Sequence, residues 1–229
     1  MNFPNASLIT EFLAEKEPFF SSYKNNLETL NKIINDVGEP LEGNIFYEHL
    51  DPDRLHLTER FFPKRAALSI FAMAHKEIVE IGFNSGFSAL LMLTANPELK
   101  LTCVDICEHQ YTEPCFQYLK TLFEDRITLV KGDSTVVLPD VLQSNKSLTG
   151  YIIDGGHGLD VAEQDLQNVI NYANNGAVLC FDDSDFVELR MMLNMYMMSG
   201  HLINFVDEYG PTQNQTQMFF NINKKVAHS

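Results

Sequence analysis

The stretch Ile78-Val79-Glu80-Ile81-Gly82-Phe83-Asn84-Ser85-Gly86-Phe87 decides how the chain is read. An apolar, β-branched run meets two glycines and passes into a helical pattern. A glycine-bearing turn from strand to helix lets a ligand approach the backbone, and the helix N-terminus favours its anionic parts. The spacing is G-x-x-x-G, not the G-x-G-x-x-G of nicotinamide dehydrogenases. Asp105, 19 residues after Gly86, ends the next strand-like run. A carboxylate there can accept both hydroxyl hydrogens of a ribose. Taken singly, these features are a tight turn and a helix cap. Within one βαβ unit they favour an adenosine-bearing cofactor.

Outward from this turn the chain alternates. Strand-like runs cover 78–83, 101–106, 127–131, 151–154 and 177–181, with starts 23, 26, 24 and 26 residues apart. That interval fits one strand plus one crossover helix. In the fourth crossover Ala162, Leu166, Val169 and Ala173 form an apolar stripe, while Glu163, Gln164, Gln167, Asn168 and Asn171 are expected to face away. The last two runs, 202–207 and 216–222, have only eight residues between them. A parallel crossover needs a dozen or more, so these two should pair antiparallel. The prediction for 78–229 is an α/β, Rossmann-like, seven-stranded, mostly parallel sheet with one antiparallel strand and helices on both faces.

Residues 1–77 show no such alternation and read as an N-terminal helical extension or lid. Phe20, Tyr23, Leu27, Leu30, Ile34 and Val37 repeat at helical spacing up to Gly38. A second helix is predicted from Pro63 to about Lys76. Between them, 41–60 carries Gly43, Pro52 and five acidic residues without periodicity, as a lid, a substrate loop or an ordinary connection.

Composition narrows the partners. With 16 basic and 31 acidic residues the formal net charge is −15, which repels phosphate backbones and argues against nucleic acid. The apolar run 66–74 is far too short to span a bilayer, and residues 1–5 show no secretory pattern. Cys103, Cys107, Cys115 and Cys180 form no C-x-x-C pair and read as reduced thiols, so a cytoplasmic protein is expected. Met191, Met192, Met195, Met197 and Met198 read as core or subunit-interface filler, which allows for a homo-oligomer.

The chemistry concentrates at the ends of the fourth and fifth runs. Asp154-Gly155-Gly156-His157 ends one, and Asp182-Asp183-Ser184-Asp185 ends the other. Carboxyl ends of adjacent parallel strands form the ligand crevice of such sheets, so Asp154, Asp182 and Asp183 should converge. Three like charges repel unless something cationic lies between them. Oxygen-only ligands suit a hard divalent ion, Mg²⁺ or Mn²⁺. The alternative is that these acids cap the next helix, and one of them is expected to do so. His157, three residues after a metal-ligand candidate in a glycine-rich turn, is the candidate base.

The E-x-G-x-x-x-G turn with Asp105 resembles the class I S-adenosylmethionine-dependent methyltransferases over roughly residues 60–222. The resemblance implies that Glu80, Gly82, Asn84, Ser85 and Gly86 surround the methionine part and that Asp105 holds the ribose. It places Asp133 and Ser134 near the adenine, with a helix cap as the equal alternative. Asp154 would border both cofactor and metal. Asp154-Gly155-Gly156-His157, then Asp165-Leu166, then Asp182-Asp183 resemble the divalent-metal-dependent O-methyltransferases, in particular the D-G-x-H branch that methylates macrolide sugars. The catechol enzymes carry a lysine where this chain has His157. Relatives often have Glu or Asn in the pair that is Asp182-Asp183 here. The expected activity is transfer of a methyl group to a hydroxyl of a small sugar or glycan with adjacent hydroxyls. Catechol or phenol methylation and a non-catalytic cofactor-binding protein are the alternatives. A dehydrogenase lacks support, since no tyrosine–lysine catalytic pattern is visible.

Overall fold

The computed structural model describes residues 16–47, 58, 60–204 and 216–224. In chain order the elements are α1 (Lys16–Val37), α2 (Phe62–Ala74), β1 (Glu77–Ile81), α3 (Phe87–Ala95), β2 (Lys100–Asp105) and α4 (Thr112–Phe123). A 3₁₀ turn, Glu124–Arg126, leads into β3 (Ile127–Lys131), α5 (Ser134–Ser144), β4 (Gly150–Ile153) and α6 (Leu159–Tyr172). β5 (Val178–Phe181), α7 (Val187–Met198), β6 (Leu202–Asn204) and β7 (Met218–Ile222) complete it. The first helix starts four residues before the expected stripe, β7 starts at Met218 rather than Thr216, and residues 205–207 of the expected strand 202–207 lie outside the described residues.

The seven strands form one sheet in the order β3-β2-β1-β4-β5-β7-β6. β1 pairs parallel with β2 and β4, β2 with β3, and β4 with β5. β7 runs antiparallel to both β5 and β6, so it is the one reversed strand. The expected architecture is thus the observed one. The order reverses direction between β1 and β4, which opens the crevice beyond their carboxyl ends.

Strand periodicity builds the two faces. Ile78, Leu101, Cys103, Ile152, Val178 and Cys180 join a core with α1, α2, α3 and α4. Val79, Ile81, Val104, Ile153, Leu179 and Phe181 point the other way, onto α5, α6 and α7. Near-continuous apolar strands are what burial on both faces requires. Ala162, Leu166, Val169 and Ala173 of the expected α6 stripe are all buried. Asn168, expected to face solvent, is buried too, as is Asp165. Met192 fills core, whereas Met191, Met195 and Met198 stand exposed on α7. All four cysteines are free thiols, three of them buried. Among the described residues no helix is long and apolar enough to cross a membrane.

Candidate active site

β1 delivers the glycine turn, and the turn is held from beneath. Gly82 adopts φ +95° and Gly86 φ +77°, in the left-handed region that costs side-chain-bearing residues most. Gly86 is also the N-cap of α3. The Asp105 carboxylate reaches across from β2. Its Oδ2 accepts the Phe83 N–H (2.7 Å) and the Asn84 N–H (2.8 Å), and its Oδ1 accepts the Cys107 N–H (2.6 Å). The residue expected to hold a ribose therefore also clamps the turn. Oδ2 already accepts two bonds, while Oδ1 keeps a second lone pair for a ligand.

The Asn84 side chain donates to the Glu42 carbonyl at 2.6 Å, while its buried Oδ1 has no hydrogen-bond partner among the described residues. An orphaned acceptor in a cofactor turn fits a ligand that brings a donor, such as the ammonium or hydroxyls of S-adenosylmethionine. Ser85 is buried in the same turn. Glu80 differs from expectation. It is wholly enclosed beneath the turn, accepting the Ser88 hydroxyl (2.5 Å) and the Cys103 thiol (3.4 Å). Burial pushes its carboxyl up to about 7. It supports the turn from the core and presents no open face to a methionine group.

At Asp133 and Ser134 the cap alternative is what the structure displays. Asp133 Oδ1 accepts the Thr135 N–H at 2.9 Å as N-cap of α5. The Ser134 hydroxyl donates to Asp165 Oδ2 at 2.9 Å. Burial lifts the Asp165 carboxyl to about 6.

The acids at the ends of β4 and β5 do gather, but not around a metal-shaped gap. Asp182 is buried, with Oδ1 accepting the Asp183 N–H at 2.9 Å. Its Oδ2 forms an ion pair with the Lys64 ammonium, which enters from the first turn of α2. Asp183, at φ +53°, turns its Oδ2 to His157 Nε2 at 3.0 Å. Burial pushes the Asp154 carboxyl well up, and the charge of Asp182 adds to this against the pull of Lys64. Burial pulls the Lys64 ammonium down, but Asp154, Asp182 and Asp183 together more than offset it, and its pKa is raised. The hydrogen bond to Asp183 raises the His157 pKa against partial burial. Burial raises the Asp183 carboxyl, yet His157 and Lys64 bring it below the ordinary value.

Two expectations change here. Among the described residues no group of three or more His, Cys, Asp and Glu is arranged to hold a metal ion. Asp154, Asp182 and Asp183 were expected to be its ligands; as they stand, both oxygens of Asp182 and Oδ2 of Asp183 are engaged by a backbone N–H, Lys64 and His157. The set does not fit a divalent ion in this arrangement. Nor does Asp182, Asp183 or Asp185 cap α7, whose N-cap is Phe186 without a side-chain hydrogen bond.

Sequence reasoning missed Lys64 and its neighbour. Buried Arg65 donates to the Ile45 carbonyl (2.7 Å) and the Thr58 carbonyl (2.9 Å), and its guanidinium stands 5.6 Å from the Phe46 ring centroid. It ties the segment after α1 to α2. A second tie joins that segment to the loop between β2 and α4. Glu39 meets His109 Nδ1 at 3.0 Å, and the Glu42 N–H donates to the Tyr111 hydroxyl at 3.4 Å. The signal for Lys64 was the uncompensated triad of acids itself, which required a cation from somewhere. Tyr47 lies buried in this segment, and the polar side chains of His49, Asp51, Asp53 and Arg54 belong to residues outside the described ones.

Comparison with known proteins now adds to the geometry. A family model described as a methyltransferase domain matches residues 79–184, from β1 to just past β5. PaMTH1, a methyltransferase of Podospora anserina solved with S-adenosylhomocysteine, superposes with a TM-score of 0.59 at 12% identity, covering 91% of this chain and 97% of that one. CalS11, a TDP-rhamnose 3'-O-methyltransferase of calicheamicin biosynthesis, gives 0.58 at 16% identity over 85% and 93%. MycE, a methyltransferase of the mycinamycin pathway solved with Mg and S-adenosylhomocysteine, gives 0.52 at 13% over 85% and 54%. No curated protein matches the chain by sequence. At these identities the structural likeness establishes the fold. The methyltransferase-domain match spans less than half of the chain, over the part of the sheet that carries the glycine turn and the acids.

Proposed function

We propose that the chain methylates a hydroxyl of a sugar or glycan that carries a second hydroxyl beside it, with S-adenosylmethionine as donor. One observation carries the reading: the Asp183–His157 pair stands at the carboxyl edge of β4 and β5, next to the strand whose turn is built for the cofactor. Asp183 fixes His157 through Nε2, which leaves the other ring nitrogen to take a proton from an acceptor hydroxyl. The acceptor oxygen then attacks the methyl carbon in line. As the O–C bond forms, the C–S bond breaks and its electron pair stays on sulfur, giving S-adenosylhomocysteine. S-adenosylmethionine supplies an activated methyl group; the chain supplies orientation, through the glycine turn, Asp105 and Asn84, and a base.

A saccharide is favoured over a catechol by what the aromatic residues do. Phe46 offers a flat ring no apolar wall, because it is fully buried against Phe87 and Arg65. His157 is exposed at the crevice mouth, with the exposed Phe186 ring 5.7 Å from its imidazole. CalS11, whose substrate is a deoxysugar nucleotide by its description, shares the fold and supports the same choice. Methyl-labelled cofactor offered with free and nucleotide-linked deoxysugars, glycan fragments and catechols tests the proposal. Transfer to a saccharide is expected; efficient transfer to catechols and to no saccharide overturns it.

A metal-assisted form of the reaction is the second reading, favoured by the Mg bound in MycE. In this chain it requires Lys64 to leave the acids.

A further inference from the structure

The acids that close β4 and β5 already hold a positive charge. The Lys64 side chain is 14% exposed and paired with an Asp182 side chain that is 0% exposed. An ammonium is seldom taken so far from water unless it is paired. Asp154 and Asp183 act on the same ammonium from the neighbouring strand and from the next residue. Lys64 does not reach this place on a loose segment. Pro63 opens the helix that carries it, and Arg65 beside it is bonded to the carbonyls of Ile45 and Thr58. The helix that carries Lys64 is therefore fastened at the very next residue. A divalent ion drawn to Asp154, Asp182 and Asp183 would meet this ammonium at close range, where like charges repel strongly in a partly dry crevice. It would also have to break the Asp183–His157 pair.

We propose that Lys64 is the resident cation of the crevice, standing in for a divalent ion, so that its charge positions the acceptor oxygen and methyl transfer needs no metal. The proposal rests on the methyltransferase reading above, and it alters what that reading inherits from its metal-bound neighbours. The acceptor proton still goes to His157, and the C–S electron pair still leaves on sulfur. The charge that builds on the acceptor oxygen faces an ammonium, which has no open coordination positions and offers up to three N–H donors. Lys64 is the group that makes the acids tolerable in the folded chain, and it orders them around the acceptor.

The test reads metal binding directly and needs no acceptor. The full chain is titrated with Mn²⁺, and the free ion is followed by electron paramagnetic resonance. Wild type is expected to bind no Mn²⁺ that depends on Asp182. Lys64→Met, or Lys64→Gln if the first variant does not fold, should gain one site at least about tenfold tighter than wild type. Lys64→Arg should gain none. A single Mn²⁺ held by wild type and lost in Asp182→Asn overturns the proposal, and this arm decides even where no Lys64 variant folds. A folded Lys64→Met or Lys64→Gln chain without new Mn²⁺ affinity overturns it as well. Calorimetry with S-adenosylmethionine on the same samples reads the parent proposal separately. Failure to bind the cofactor sinks the methyltransferase reading and leaves the Mn²⁺ result standing on its own.

Discussion

A β-carbon placed on Gly82 would lie 1.9 Å from the carbonyl oxygen of Asp154. The two residues end neighbouring parallel strands, and the Asp154 N–H is bonded to the Ile81 carbonyl at 2.9 Å. The glycine thus serves two ends at once: it bends the cofactor turn, and it lets the strand that carries the first acid close against β1.

Gly82→Ala should disturb both. The added methyl group meets backbone, which cannot swing aside, and the residue's φ of +95° is strained for alanine. The expected loss is about 2–4 kcal/mol of stability, in the range of strain and overpacking combined. Cofactor affinity should fall with it. Denaturant unfolding and calorimetry on the same sample check this; an alanine variant of unchanged stability would show that the strand ends separate easily.

Asp105→Ala should weaken S-adenosylmethionine binding by roughly 1.5–3 kcal/mol, the scale of hydrogen bonds to a charged group. It should also release the Phe83, Asn84 and Cys107 N–H groups. Amide hydrogen exchange distinguishes these effects. Faster exchange at residues 83, 84 and 107 with normal cofactor affinity would make Asp105 a clamp for the turn alone.

His157→Ala should lower turnover by about 10²–10⁴-fold while leaving cofactor affinity nearly unchanged. The wild-type pH profile carries a sharper signature. Asp183 stabilises the imidazolium and raises the His157 pKa above its ordinary 6.5. A base works only after losing its proton, so turnover should rise with pH through a value above 6.5. In Asp183→Asn that limb should move to lower pH. A limb that stays in place would remove Asp183 as the partner that sets it.

Glu80→Gln should stabilise the fold at pH 8 and change it little at pH 4. Burial raises the folded-state carboxyl from 4.5 to about 7. Between these values the folded chain keeps a proton that the unfolded chain has released. Stability therefore falls as pH rises across that window and stays lower above it, by about 3 kcal/mol at most. Thermal unfolding of both proteins from pH 4 to 9 reads the difference. Curves that run parallel would mean Glu80 is not held neutral.

The sheet was legible because its signals are local. Strand spacing, the short gap before β7 and the glycine turn each lie within a few dozen residues, and each specified an element that the structure contains. The apolar stripe of α6 was equally plain. Asp165 and Asn168 on that helix were not, because two polar residues can be buried together once Ser134 and Gln164 arrive from elsewhere on the fold and the helix to bond them. The gathering of Asp154, Asp182 and Asp183 followed from strand order. What lay between them did not. Lys64 belongs to a helix outside the alternating pattern, and only packing of α2 against the sheet brings its ammonium to Asp182. The sequence argument correctly required a cation there and supplied a metal, since no local rule points from a helix's first turn to a distant pair of strands.

Arg65 has a consequence for how the chain between Phe46 and Thr58 tolerates changes in length. It bonds to Ile45 and Thr58, and the Thr58 N–H donates to the Phe46 carbonyl at 2.8 Å, so the two ends of the intervening segment are fastened side by side. A loop whose ends are already joined gains little entropic cost from extra length, since closure entropy grows only with the logarithm of the residue count. The chain between Phe46 and Thr58 can therefore change in length at small entropic cost, while the clasp at its base keeps the adjoining helix, and the lysine that helix carries, in register with the sheet.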